Sequence, residues 1–201
     1  MIISWDLNKI AKGFNVPPKT FWSSINGNTL SKTSEFTVGN LVEGNITTSQ
    51  EAFDVISGKS HWAKHIEVRN SFDKASFAPS TSTGKGRKFE EPAFRDKINK
   101  CDSYVFCNLN PVRELEQPQA YEIPASLVEE LFDLGAIGTA AHISFHKRKV
   151  YNKNWKNSAF RFEELFPYEE FRFEPGREDK PQYSAKEIIS NAIERIENAT
   201  T

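Results

Sequence analysis

At 201 residues, with 38% hydrophobic residues and sixteen Phe, the chain carries enough apolar material for a core, which excludes an intrinsically disordered protein. Two cysteines, Cys101 and Cys107, exclude a disulfide scaffold, and no apolar run approaches the roughly 20 residues of a membrane span. A formal net charge of −1 excludes a uniformly basic nucleic-acid coat, and together with the cysteine usage and the absence of a signal-like N-terminus it leads us to expect a reducing, cytoplasmic setting with no membrane partner.

In chain order, residues 6–25 read as two short helices. Ile10, Ala11 and Phe14 share one helical face and Phe21, Trp22 and Ile25 another, before Gly27 and Asn28 break the pattern. A third helix is expected over 35–42. AFDVI reads as a short strand, SGKS as a turn and WAKHIEVR as a second strand, which makes a hairpin. SFAPSTSTGKGRKF is a polar loop. EPAFRDKINK is an amphipathic helix with Phe94 and Ile98 at i, i+4, and SYVFCNL has the unbroken apolar character of a central strand. ASLVEELFDLG is a helix that Gly135 can close in the left-handed conformation. HISFHKRKVY reads as a strand with a basic turn, and FRFEELFPYEEFRFE as further strand or loop packing. Ser184 with Glu187 forms a capping-box signature ahead of a docked helix over 185–198, whose stripe is Ile188, Ile189, Ala192, Ile193 and Ile196. The expected fold is α/β, a mixed central sheet flanked by helices, with an N-terminal helical segment (1–34) ahead of an α/β domain (35–201).

Charge is unevenly distributed. Residues 59–100 carry ten Lys/Arg against five Asp/Glu, and 146–161 are basic without an acid, a local arrangement that suits a polyanion. Within the hairpin, Asp54 lies between Phe53 and Val55, and Glu67 between Ile66 and Val68. An acid inside an apolar strand is costly unless it is partnered. Arg69 follows Glu67 at i+2 and therefore shares its face. Two carboxylates brought together across a hairpin repel each other, and a hard divalent cation between them, Mg²⁺, resolves the repulsion and can act on a phosphate.

Phe53-Asp54 followed by Glu67-Val68-Arg69 resembles the motif of the PD-(D/E)XK nuclease superfamily, to which most type II restriction endonucleases belong. There an Asp ends one hairpin strand, and an acid and a Lys, one residue apart, occupy the next. The resemblance covers about residues 35–110 and implies a restriction-endonuclease-like core, Mg²⁺ as cofactor, double-stranded DNA as partner and, for cutting both strands, a homodimer. It implies Asp54 and Glu67 as metal ligands, Glu43 as an assisting acid, and Asp54, Glu67 and Arg69 as the catalytic set. Ser80, Gly84, Gly86 and Arg87 look like a phosphate-approaching loop, with Lys85, Arg87 and Lys88 as DNA contacts. Phe53 stands where the family has Pro, and Arg69 where it has Lys. An arginine cannot serve as a base, so Lys64 and Lys59 are alternatives for that role, and an inactive DNA-binding relative is a second reading.

Residues 10–26 are similar to a helix-turn-helix of the lac-repressor type. Ala11 allows close helix approach, Asn15 suits the left-handed turn, and Val16, Phe21 and Ile25 are the anchors. Lys19, Thr20, Trp22 and Ser23 then face outward for DNA. This supports the alternative of a non-enzymatic DNA-binding protein. The pairs His61/His65 and His142/His146 leave zinc binding as a third class.

Overall fold

The computed structural model describes residues 4–48, 51–80, 82, 88–148 and 160–199. Two helices, α1 (Leu7–Gly13) and α2 (Pro18–Ser24), open the chain. Asp6 caps α1 by accepting from the Lys9 amide, and Asn15 takes the turn between them at φ 56°. A 3₁₀ turn over Gly27–Leu30 leads into α3 (Ser31–Leu41). The hairpin strands β1 (Asn45–Ile46) and β2 (Val55–Ile56) are followed by β3 (His65–Ser71) and β4 (Lys74–Ser76). Then come α4 (Glu91–Ile98), β5 (Ser103–Asn108), β6 (Gln119–Pro124) and α5 (Ala125–Asp133). The chain continues through β7 (His142–Ser144), the single turns α6 (Phe162–Leu165) and α7 (Tyr168–Phe171), and α8 (Ala185–Asn198).

Five strands form one mixed sheet in the order β1-β2-β3-β5-β6. β3 and β5 are parallel, joined through α4, and the other neighbours are antiparallel. β4 and β7 pair separately. The alternation of β3 sorts its side chains between two cores. Ile66 and Val68 face α1–α3 with Val105, Cys107 and Trp22. On the other side Tyr104, Phe106 and Tyr121 pack with Phe94, Leu131 and Ile188 from the later helices. Glu67 and Arg69 therefore point to the α4 side. Among the described residues, no helix is long and apolar enough to cross a membrane.

Several expectations need correction. The N-terminal helices share a core with the sheet, and α3 runs across the 34/35 boundary, so the first 34 residues form a layer of the fold. Trp22 is fully buried and its indole N–H donates to the Leu7 carbonyl at 3.3 Å, so it does not face outward. β6 has no counterpart in the sequence reading. Its Glu122 conceals a strand that is buried because that acid has partners: His61 Nε2 at 2.8 Å and Ser103 Oγ–H at 3.2 Å. Residues 162–171 form two helical turns, because Pro167 starts the second and Phe162 and Phe166 fall on one helical face. Arg172 then bridges to Tyr121, and the Phe173 amide donates to the Ala120 carbonyl at 2.8 Å. α8 has the expected bounds, but Ser184 makes no side-chain cap to it.

Candidate active site

The end of the β1–β2 hairpin sets the first acid. Asp54 lies one residue before β2, where its amide donates to the Ile66 carbonyl at 3.0 Å and its carbonyl accepts from Thr47 at 2.9 Å. Val55 pairs with Ile66, so extending that register by one residue puts Asp54 opposite Glu67. The Asp54 carboxylate turns back onto β3, and Oδ2 accepts from the Val68 amide at 2.9 Å. That bond fixes the side chain in a strand-end position, where an acid is tolerated.

Glu67 is 3% exposed, in the middle of β3. Its Oε1 lies 2.7 Å from an Arg69 nitrogen, as two side chains on one face of a strand allow. That same guanidinium nitrogen donates to the Ala78 carbonyl at 3.3 Å, so Arg69 is held from two sides. A second cation comes from α4. Phe94 and Ile98 bury that helix against the core, and Arg95 ties it to Glu129 (2.9 Å) and Asp133 (2.6 Å) of α5. Lys97, beside Ile98 at the edge of the buried face, then reaches Glu67 Oε2 at 2.5 Å. Its approach is off the directions of a hydrogen bond, which leaves Oε2 buried without a hydrogen-bond donor.

The third acid is Glu35 of α3, 5% exposed and ion-paired with Lys32. The Glu35 hydrogen bond, and the Glu35 and Asp54 charges, raise the Lys32 pKa against the effect of burial. Lys32, Glu35, Asp54, Glu67, Arg69 and Lys97 line one cleft of about 450 Å³, closed by Thr47 and Glu51 of the hairpin and by Pro79 and Ser80 after β4. Its wall is predominantly polar and contains both charges, which suits a charged group that also needs a cation. The nearby Cys101 is no nucleophile, because burial pushes its thiol up to about 12.

Burial likewise pushes Glu67 up to about 7. The Arg69 charge opposes the shift, Asp54 reinforces it and Lys97 opposes it. A raised carboxyl pKa contributes stability that is complete below the ordinary value of 4.5 and lost as pH rises through about 7. We therefore expect the unfolding free energy of the wild type to fall over that window relative to Glu67→Gln, by up to ~3 kcal/mol. Urea unfolding of both proteins across the window checks this, and parallel profiles would contradict it.

The structure thus brings Asp54, Glu67 and Arg69 together. Glu43 stands apart: it follows α3 at φ 50°, exposed on the turn into β1, and the α3 acid that lines the cleft together with Asp54 is Glu35. Lys59 and Lys64 are exposed and do not line the cleft. Lys88 is exposed ahead of α4, while Lys85 and Arg87 lie outside the described residues. Lys19 and Thr20 are exposed on α2, away from the cleft lining. Lys97 is the functional candidate that the sequence reading did not single out. Its signal was a position three residues after Phe94, at the border of the apolar face.

The histidine pairs do not come together as ligand pairs. His61 is bound to Glu122, His65 stacks on Phe53, and His146 Nε2 lies 3.3 Å from the Phe72 carbonyl. Among the described residues, no three His, Cys, Asp or Glu group as a metal cluster. A pair of carboxylates facing a polar cleft fits Mg²⁺, which takes one or two protein carboxylates and completes its shell with water and phosphate oxygens. Compared with protein families, curated proteins and solved structures, the chain matches none.

Proposed function

We propose that this chain is a Mg²⁺-dependent DNA endonuclease with a restriction-endonuclease-like core, a sequence-specific type II restriction enzyme that works as a homodimer. The observation that carries the reading is the meeting of Asp54 and Glu67 across the hairpin register, with Arg69 and Lys97 converging on the same carboxylate. Asp54 and Glu67 are the residues that hold the ion, which when bound supplies Lewis acidity for the scissile phosphate. Arg69 stabilises the charge that gathers on that phosphate, and its bond to the Ala78 carbonyl preorganises it for this. Lys97 supplies from α4 the ammonium that the nuclease motif has two residues after its second acid. In this reading the polar cleft between α3, the hairpin and α4 is where the backbone of one DNA strand would lie.

A second reading is a DNA-binding protein without catalysis. Two observations favour it: Glu35 and Glu67 are already paired with neighbouring cations, and α2 presents Lys19, Thr20 and Ser23 to solvent after an Asn15 turn. Incubation with unmethylated phage DNA, in Mg²⁺ or in EDTA, separates the two. Discrete fragments in Mg²⁺ alone are the expected result. DNA shifted in a gel but uncut in Mg²⁺ and in Mn²⁺ selects the second reading, and neither binding nor cleavage overturns both.

A further inference from the structure

The two cations on Glu67 are held differently. Arg69 is anchored by the Ala78 carbonyl as well as by Oε1, and its planar fork has little freedom. Lys97 comes from the facing helix on a flexible four-carbon stem, and its ammonium meets Oε2 at 2.5 Å without hydrogen-bond geometry. A divalent ion coordinating that oxygen sits about 2.0–2.1 Å from it. An ammonium and a divalent ion on the same carboxylate oxygen repel each other in a cleft where charges are poorly screened, so binding of the ion disfavours the ammonium there.

We propose that Lys97 is the resident counter-cation of the Asp54–Glu67 pair, and that a divalent cation binds by displacing its ammonium from Glu67 Oε2. This rests on the metal-site reading above. Lys97 then acts as a gate on metal affinity: without metal it compensates a buried carboxylate, and with metal it is released into the cleft. A released ammonium needs a new anion, and a phosphate in the cleft provides one. Metal and phosphodiester therefore bind with positive coupling, since each relieves the cost the other imposes on Lys97. Arg69 does not take this part, because leaving Oε1 does not free it from Ala78.

The test is Mn²⁺ binding to the full chain without DNA, by calorimetry and by loss of the free-ion electron paramagnetic resonance signal. Lys97→Met keeps the stem and removes the charge, and we expect it to bind Mn²⁺ about tenfold more tightly than the wild type. Lys97→Arg keeps the charge and should bind no more tightly than the wild type, which separates a charge effect from repacking of α4. Asp54→Asn should bind roughly a hundredfold or more weakly than the wild type, since a charged ligand itself is lost. If Lys97→Met binds with unchanged or weaker affinity while Asp54→Asn loses the ion, the gate is wrong and the metal site stands. If wild type, Lys97→Met and Asp54→Asn are equally without saturable binding, the metal site itself is wrong and the gate fails with it.

Discussion

If the chain is the proposed nuclease, Asp54→Asn should leave a folded protein whose single-turnover cleavage of DNA is slowed by about three orders of magnitude or more, because the several kcal/mol of charge stabilisation from the ion would be lost with its ligand. Asparagine is the informative replacement. Oδ2 of Asp54 accepts from the Val68 amide, and the amide oxygen of Asn preserves that bond, whereas Ala strands a half-buried backbone donor. Glu67→Gln should do the same to the rate. Gln keeps an oxygen for the Arg69 guanidinium but withdraws the negative charge that Lys97 and the ion share. Lost cleavage with an intact fold is the expected pattern, with Asp54→Asn melting close to the wild type and Glu67→Gln melting higher than it near pH 7. Near-normal cleavage by either variant would show that these acids do not hold the metal.

Arg69 is one of two residues, with Phe53, at which the nuclease pattern and this chain differ, and its substitution carries the second large effect. If the guanidinium stabilises the phosphate, Arg69→Ala costs about two to three orders of magnitude in single-turnover rate while Mn²⁺ and DNA still bind, since the charge is needed mainly in the transition state. Arg69→Lys retains measurable activity, because it restores a cation on the same face of β3. The stability cost should exceed that of a surface pair, about 3 kcal/mol, since Glu67 is buried and keeps only Lys97 as its counter-charge. Single-turnover rates of wild type, Arg69→Ala and Arg69→Lys decide the matter, and three equal rates would remove any catalytic role.

What could be read in the sequence was what lies along one strand or one helix. Glu67 and Arg69 share a face through the period of two, and Asp54 fell opposite them because the hairpin is local. The bounds of α8 and the closing Gly135, at φ 75°, follow from short-range rules. Glu35 and Lys97 were not legible as site residues, because each is one charged position on an amphipathic helix. Only the tertiary crossing of α3 and α4 with β3 selects them from their neighbours. Glu43 was the sequence choice for the helix acid, yet α3 ends at Leu41 and the turn carries Glu43 outward. β6 escaped because the cost of its central Glu122 is offset by His61 and Ser103, both distant in sequence.

The sheet described here has no long open margin. On one side Arg172 and Phe173 already occupy hydrogen-bonding positions along β6, and on the other β1 is only two residues long. A strand from another molecule finds few vacant backbone donors and acceptors to zip onto, which guards against amyloid-like stacking. The same geometry constrains self-association. Among the described residues, then, the five-stranded sheet offers few free backbone positions for a second copy to extend it. If the chain works as the proposed homodimer, pairing through helices or loops would leave each copy its own strand register, and the spacing between two clefts would be set by side-chain packing.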